Sequence, residues 1–103
     1  RTYAMMMNWS QALDVNCTYC HNTASFRSWE VSSPTRVTAW HGLQMVRELN
    51  ADYLIPLGPE YPEERLGDSG DAPKAYCATC HQGQPKPLNG ADAISAYPSL
   101  QQP

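Results

Sequence analysis

Cys17-Thr18-Tyr19-Cys20-His21 and Cys77-Ala78-Thr79-Cys80-His81 decide how this chain folds: each is a complete Cys-x-x-Cys-His run, and together they use all four cysteines. The pattern is that of covalent haem attachment. Two thiols add to the two vinyl groups of one porphyrin, and the histidine beside the second thiol stands against one face of the iron. Cys17, Cys20, Cys77 and Cys80 are therefore the expected attachment residues, His21 and His81 the expected proximal iron ligands, and two c-type haems the expected cofactors. Of the three histidines in the chain, two fall directly after a Cys-x-x-Cys pair. A four-cysteine zinc site fits poorly, because 56 residues separate the pairs where zinc ribbons usually place about 15–20. Two structural disulfides would leave both histidines unexplained, and a thioredoxin-like pair would need a βαβ context that the sequence lacks.

Outward from the motifs, 103 residues with nine prolines and six glycines read as one small domain with a thin protein core, in the size range that needs a staple. Two covalent haems would supply it. The expected fold is mainly α with much irregular loop, a small dihaem c-type cytochrome whose core is dominated by haem. Within the single domain 1–103, residues 1–50 form a first haem unit and 51–103 a loop and a second.

Residues 3–14 predict a helix, with Tyr3, Met6, Trp9 or Ser10, and Leu13 on one face and Met5 and Met7 pointing elsewhere. Residues 22–33 are polar and irregular. Ser33-Pro34 gives an N-cap and an N1 proline for a helix from Pro34 to Asn50. On that helix Ala39, Trp40, Leu43, Val46 and Leu49 form a broad apolar face, and Thr38, His41 and Met45 lie on a different side. Residues 51–75, rich in Pro, Gly, Asp and Glu, read as a long surface connection. Gln82 to Pro87 forbid a regular helix directly after His81, and at most one short helix fits near 91–97.

Each haem iron has a second axial position, usually filled in electron carriers by Met sulfur or His nitrogen. Met6, eleven residues before Cys17 on the apolar face of its helix, is the candidate for the first haem. The second haem has no such neighbour: the equivalent position is Leu66, and neither Met nor His stands between Arg47 and Tyr76. His41 is the candidate there and Met45 the fallback, with a ligand from another chain or an open iron as alternatives. A Met6/His21 haem beside a His41/His81 haem would make a high-potential and a low-potential pair. Arg1, Arg27, Arg36, Arg47 and Arg65 are candidates to pair with haem propionates, and Trp29, Trp40, Tyr19 and Tyr76 to pack on porphyrin rings.

The net charge of −3 becomes more negative with propionates, which excludes nucleic acid and suits redox proteins with basic patches. No run approaches the about 18 apolar residues of a membrane span. The amino terminus lacks the layout of a signal peptide, so the sequence reads as a mature or truncated form. Attachment by this motif takes place outside the cytoplasm, so a periplasmic or extracellular location is expected.

The order of these features resembles the tetrahaem cytochrome c subunit bound to purple-bacterial photosynthetic reaction centres. The resemblance rests on Met6 ahead of Cys17 to Asn22, Ser28-Trp29, Pro34 leading into Ala39 to Asn50, Cys80 to Gly83, Lys86-Pro87-Leu88, Gly90-Ala91 and Tyr97-Pro98, and covers the carboxy-terminal half of that family, with its third and fourth haems. It implies Met/His ligation of the first haem here, with Met6 as the methionine. For the second it implies two histidines, the distal one coming from an amino-terminal half that this sequence lacks. The chain is then a fragment, or a shortened dihaem relative in which His41 serves in cis or reaches a neighbouring copy. Repeated donation between copies would build a filament, and the position of His41 off the main apolar face favours that arrangement. The implied partners are a photosynthetic reaction centre or a soluble cytochrome. One-electron transfer is the expected function and catalysis is not, the enzymatic alternative being a peroxidase-like open second iron for which no distal acid–base residue is identifiable.

Overall fold

Four α-helices joined by turns and irregular segments make up the fold seen in a computed structural model, which describes residues 1–101. No β-strand occurs among the described residues.

Helix α1 spans Thr2–Leu13. It is built from strong helix formers, Ala4, three methionines, Gln11, Ala12 and Leu13, with no proline or glycine. Asp14 ends it in the left-handed conformation, φ 54° and ψ 51°. The N–H of Asp14 donates to the Gln11 carbonyl at 3.2 Å and that of Val15 to the Ser10 carbonyl at 3.0 Å, a Schellman closure that satisfies two of the last carbonyls. A third, on Ala12, accepts from the Gly83 N–H at 2.7 Å, across the fold.

Helix α2, Pro34–Leu49, starts where the Ser33-Pro34 pair places it. Ser33 occupies the N-cap position, but its hydroxyl caps no backbone N–H. The start is held instead by tertiary bonds: the Ser33 N–H donates to the Cys20 carbonyl at 3.2 Å, and the Thr35 hydroxyl donates to the Tyr19 carbonyl. Beyond Leu49 the chain does not leave the helix at once. A π-helical turn over Asn50–Leu54 carries it on, followed by short 3₁₀ turns at Gly58–Glu60 and Glu63–Arg65. The 51–75 connection is thus mostly exposed, as expected from its composition, though more helical in its first part.

Helix α3, Cys77–His81, is the second motif itself, closed by Gln82 and Gly83 at φ 52° and 82°. Helix α4 spans Ala93–Ala96, with the Asp92 carboxylate accepting from the Ser95 N–H at 3.1 Å as its N-cap. Helix α1 packs on α3, and α3 also touches α2, so the second motif sits against both long helices.

The apolar side chains are not gathered into a core. Ala12 and Ala75 are the buried hydrophobic residues, and no large side chain is fully buried among the described residues. The radius of gyration is 16.3 Å, against about 13 Å for a compact chain of this length. The accessible surface is 8261 Å², against about 5,800 Å² for a folded monomer of this mass. The polypeptide is a frame around space that its own side chains do not fill.

Candidate functional site

That space is one cleft of about 1340 Å³, larger than the roughly 300–1,000 Å³ of a pocket for a single small ligand. Both motifs open into it: Cys17, Cys20 and His21 from one side, Cys77, Cys80 and His81 from the other. Helix α1 contributes Met5, Met6, Met7, Trp9 and Leu13, and α2 contributes Thr38 to Leu43, Met45 and Val46. The lining is overwhelmingly apolar, which explains why Trp29 and Trp40, at 51% and 44% exposure, are not in a protein core.

The two histidines are held alike. His21 Nδ1 lies 2.9 Å from the Phe26 carbonyl oxygen, and His81 Nδ1 lies 2.9 Å from the Gln84 carbonyl oxygen. A carbonyl can only accept, so Nδ1 carries the proton and donates in both rings. That leaves Nε2 as the ring nitrogen available to a metal, the arrangement a metal-ligating histidine takes. The two loops arrive at this arrangement differently. After His21 the chain runs through turns to Phe26, whose ring also packs on the imidazole at 5.4 Å between centroids. After His81 the left-handed Gln82-Gly83 pair folds Gln84 back directly. Neither carbonyl is legible in the sequence, because a backbone acceptor carries no residue signature.

No disulfide joins the four cysteines. Burial pushes the Cys77 thiol above its ordinary range. Among the described residues no group of three or more His, Cys, Asp and Glu side chains is placed to hold a bare metal ion, so the two cysteine pairs are not gathered as a zinc cluster would require. Paired thiols and one free Nε2 at the wall of an apolar cleft fit a c-type haem, with the cysteines anchoring its edge and the histidine facing its iron.

The expected distal residues also line the cleft. Met6 is half-buried on α1, whereas Met5 and Met7 are 40% and 39% exposed. All three nevertheless face the cleft, contrary to the expectation that Met5 and Met7 point elsewhere. The cleft wraps around more than one stripe of the helix, so steps of 100° do not carry a side chain out of it. The same reason corrects the reading of α2: Thr38, His41 and Met45 line the cleft together with Ala39, Trp40, Leu43 and Val46. His41 is exposed but opens into the same space as both motifs, and Met45 is 60% exposed.

Of the five arginines, Arg27 and Arg36 line the cleft, joined by Lys86. The Arg36 guanidinium carbon stands 3.8 Å from the centre of the Trp29 ring, and Nη1 donates to the Ser28 carbonyl at 2.9 Å. Trp29 is therefore committed on one face to a cation. Tyr19, Trp40 and Tyr76 line the cleft as expected.

One feature of the site had no sequence signal. The Asn50 carboxamide donates to the Ala75 carbonyl at 2.8 Å and accepts from the Ala75 N–H at 2.7 Å, tying the end of α2 to the residue two before Cys77.

Comparison with known proteins agrees with this arrangement. The family profile for the photosynthetic reaction centre cytochrome C subunit matches residues 1–101. The chain is 51% identical over 100 residues to the photosynthetic reaction center cytochrome c subunit of Rubrivivax gelatinosus, covering 97% of this chain and 27% of that protein. It is 46% identical over 99 residues to the subunit of Thermochromatium tepidum, covering 96% of this chain and 24% of the relative. Cytochrome c-554 of Chloroflexus aurantiacus is 34% identical over 93 residues, which are 88% of this chain and 20% of that protein. The chain thus spans about a quarter of the length of the subunits it matches. On the match of nearly its whole length, the chain belongs to the photosynthetic reaction centre cytochrome c subunit family.

Proposed function

We propose that this chain is a two-haem electron-transfer unit, one haem held by Cys17, Cys20 and His21 and the other by Cys77, Cys80 and His81. The observation that carries the reading is the equal treatment of the two histidines: each donates Nδ1–H to a backbone carbonyl at 2.9 Å, and both line the same apolar cleft. When bound, c-type haem supplies a one-electron change at its iron. The chain's own residues anchor, orient and exclude water. The cysteines fix the ring edge covalently. Anchored Nδ1–H groups raise the basicity of Nε2 and stop the imidazoles rotating. Trp40, Tyr19, Tyr76 and the aliphatic wall of α2 keep water off the ring faces, and a low dielectric around them limits reorganisation when charge changes. Arg27, Arg36 and Lys86 offer cations to the propionates.

Met6, the least exposed of the four methionines lining the cleft, is proposed as the sixth ligand of the first haem, and His41 as that of the second, with Met45 as the fallback. His41 opens into the cleft of its own chain, which favours donation in cis over donation between copies. The names of the matched subunits support a photosynthetic reaction centre as the redox partner, and attachment of haem by this motif outside the cytoplasm supports a periplasmic location. Among the described residues no helix is long and apolar enough to cross a membrane.

The test is to produce the chain with a c-type haem maturation system and to measure mass after denaturation. The expected mass is the polypeptide plus two haems, falling to one when Cys77 and Cys80 are replaced by serine. A parent that carries a single covalent haem would refute the two-haem reading.

A further inference from the structure

Residues 71–76 lead into the second motif without any regular structure. Such a segment would leave Cys77 and His81 free to drift relative to α2, yet it ends in Ala75, one of the buried hydrophobic residues of the chain. A buried residue in an irregular segment has an N–H and a carbonyl that water cannot satisfy, so both need protein partners. No backbone group of the described residues supplies either one. The Asn50 carboxamide supplies both, at 2.7 and 2.8 Å. Among the side chains only Asn and Gln carry a donor and an acceptor in this fixed, planar pairing, which mimics a backbone rung. Asn50 also stands where α2 passes into the π-helical turn Asn50–Leu54, and one-turn π segments within helices recur at functional positions.

From these facts we infer that Asn50 is a positioning residue for the second haem site: by clasping Ala75 it sets the separation and angle between the Cys77–His81 motif and α2, the helix that carries His41 and Met45. This deepens the two-haem reading above and rests on it. The other long-range tie of the motif, from Gly83 N–H to the Ala12 carbonyl at 2.7 Å, leads to α1. Loss of the Asn50 clasp therefore leaves the motif attached to the Met6 helix and loosens it from the His41 helix. The consequence is selective: the geometry of the second haem changes and that of the first does not.

The experiment compares the matured parent with Asn50→Ala and Asn50→Asp, by haem count, by redox titration resolving the two haems, and by electron paramagnetic resonance of the low-spin signals. Asn50→Asp keeps the shape and the acceptor but loses the donor, so it tests the clasp even if the alanine variant folds poorly. Asn50→Gln keeps both functional groups one methylene further out and serves as the conservative variant. The expected result is two haems in all four proteins, with the potential and low-spin signal of the His81 haem displaced in Asn50→Ala and Asn50→Asp and partly restored in Asn50→Gln, while the His21 haem stays in place. Two haems with both signals unmoved, or both moved alike, overturn the assignment of Asn50 and leave the two-haem reading intact. A parent with one haem overturns that reading and the assignment with it.

Discussion

Replacing Cys17, Cys20, Cys77 and Cys80 together by alanine should unfold this chain, not leave a folded shell around an empty cleft. The accessible surface of 8261 Å² exceeds by about 2,500 Å² what a folded monomer of this mass exposes. At the usual apolar share of roughly 55–60%, and about 25 cal/mol per Å², covering that excess stabilises the fold by about 35 kcal/mol. Net folding stabilities are only about 5–15 kcal/mol, so losing even half of this cover exceeds what a domain can spare. Ala12 and Ala75, the buried apolar residues among those described, contribute too little to compensate. Small-angle scattering on the quadruple variant should therefore give a radius of gyration near the about 32 Å of an unfolded chain of this length, against 16.3 Å for the folded frame. Far-ultraviolet circular dichroism should show little helix and no thermal transition. A haem-free variant that keeps a radius near that of the folded frame and melts cooperatively would refute the argument that the cofactor is the core.

Met6→Ala should lower the potential of the first haem and abolish its thioether signature in magnetic circular dichroism, while Met5→Ala and Met7→Ala leave both unchanged; equal effects from all three would remove Met6 from its role. His41→Ala should convert the second haem to a high-spin form that binds carbon monoxide rapidly, and a low-spin spectrum with unchanged potential would reassign that ligand. Arg36→Gln loses the cation held 3.8 Å from the Trp29 ring centre, a contact worth about 0.5–1 kcal/mol where partly exposed, so the melting temperature should fall by about 2–8 °C; no change in calorimetry would mean that the pair is decorative. The Asp92 carboxyl is held below its ordinary range by the Ser95 hydroxyl first and by the Ser95 backbone N–H. Since folding depresses its pKa, the cap on α4 is fully formed above the usual carboxylate range and is lost as pH falls through the depressed value; amide exchange of Ser95 should accelerate only on that acid side, and protection constant down to low pH would contradict the cap.

Much of the site was legible from residue type and order. A Cys-x-x-Cys-His run is a local covalent device, so its five residues mark a proposed attachment point wherever the chain goes. The helices at Thr2–Leu13 and Pro34–Leu49 were also legible, since helix formers, the absence of proline inside and a proline at N1 act over a few residues. Helical periodicity was a weaker guide to which side chains face the site. It assumes one partner surface per helix, and here a single cleft borders several stripes of α1 and α2, so Met5, Met7, His41 and Met45 all reach it.

From the sequence alone came the expectations of where haem attaches, which residues stand against an iron, and that the protein core is thin, because each of these depends on residue chemistry or on totals. Tertiary structure decided how the sites are held. The carbonyls of Phe26 and Gln84 fix the imidazole tautomers, Gly83 closes on Ala12, and Asn50 clasps Ala75 across 25 residues. These contacts use backbone groups that every residue carries, or an amide that satisfies whichever backbone lies opposite. Nothing in residue identity distinguishes such a partner until folding brings the two segments together.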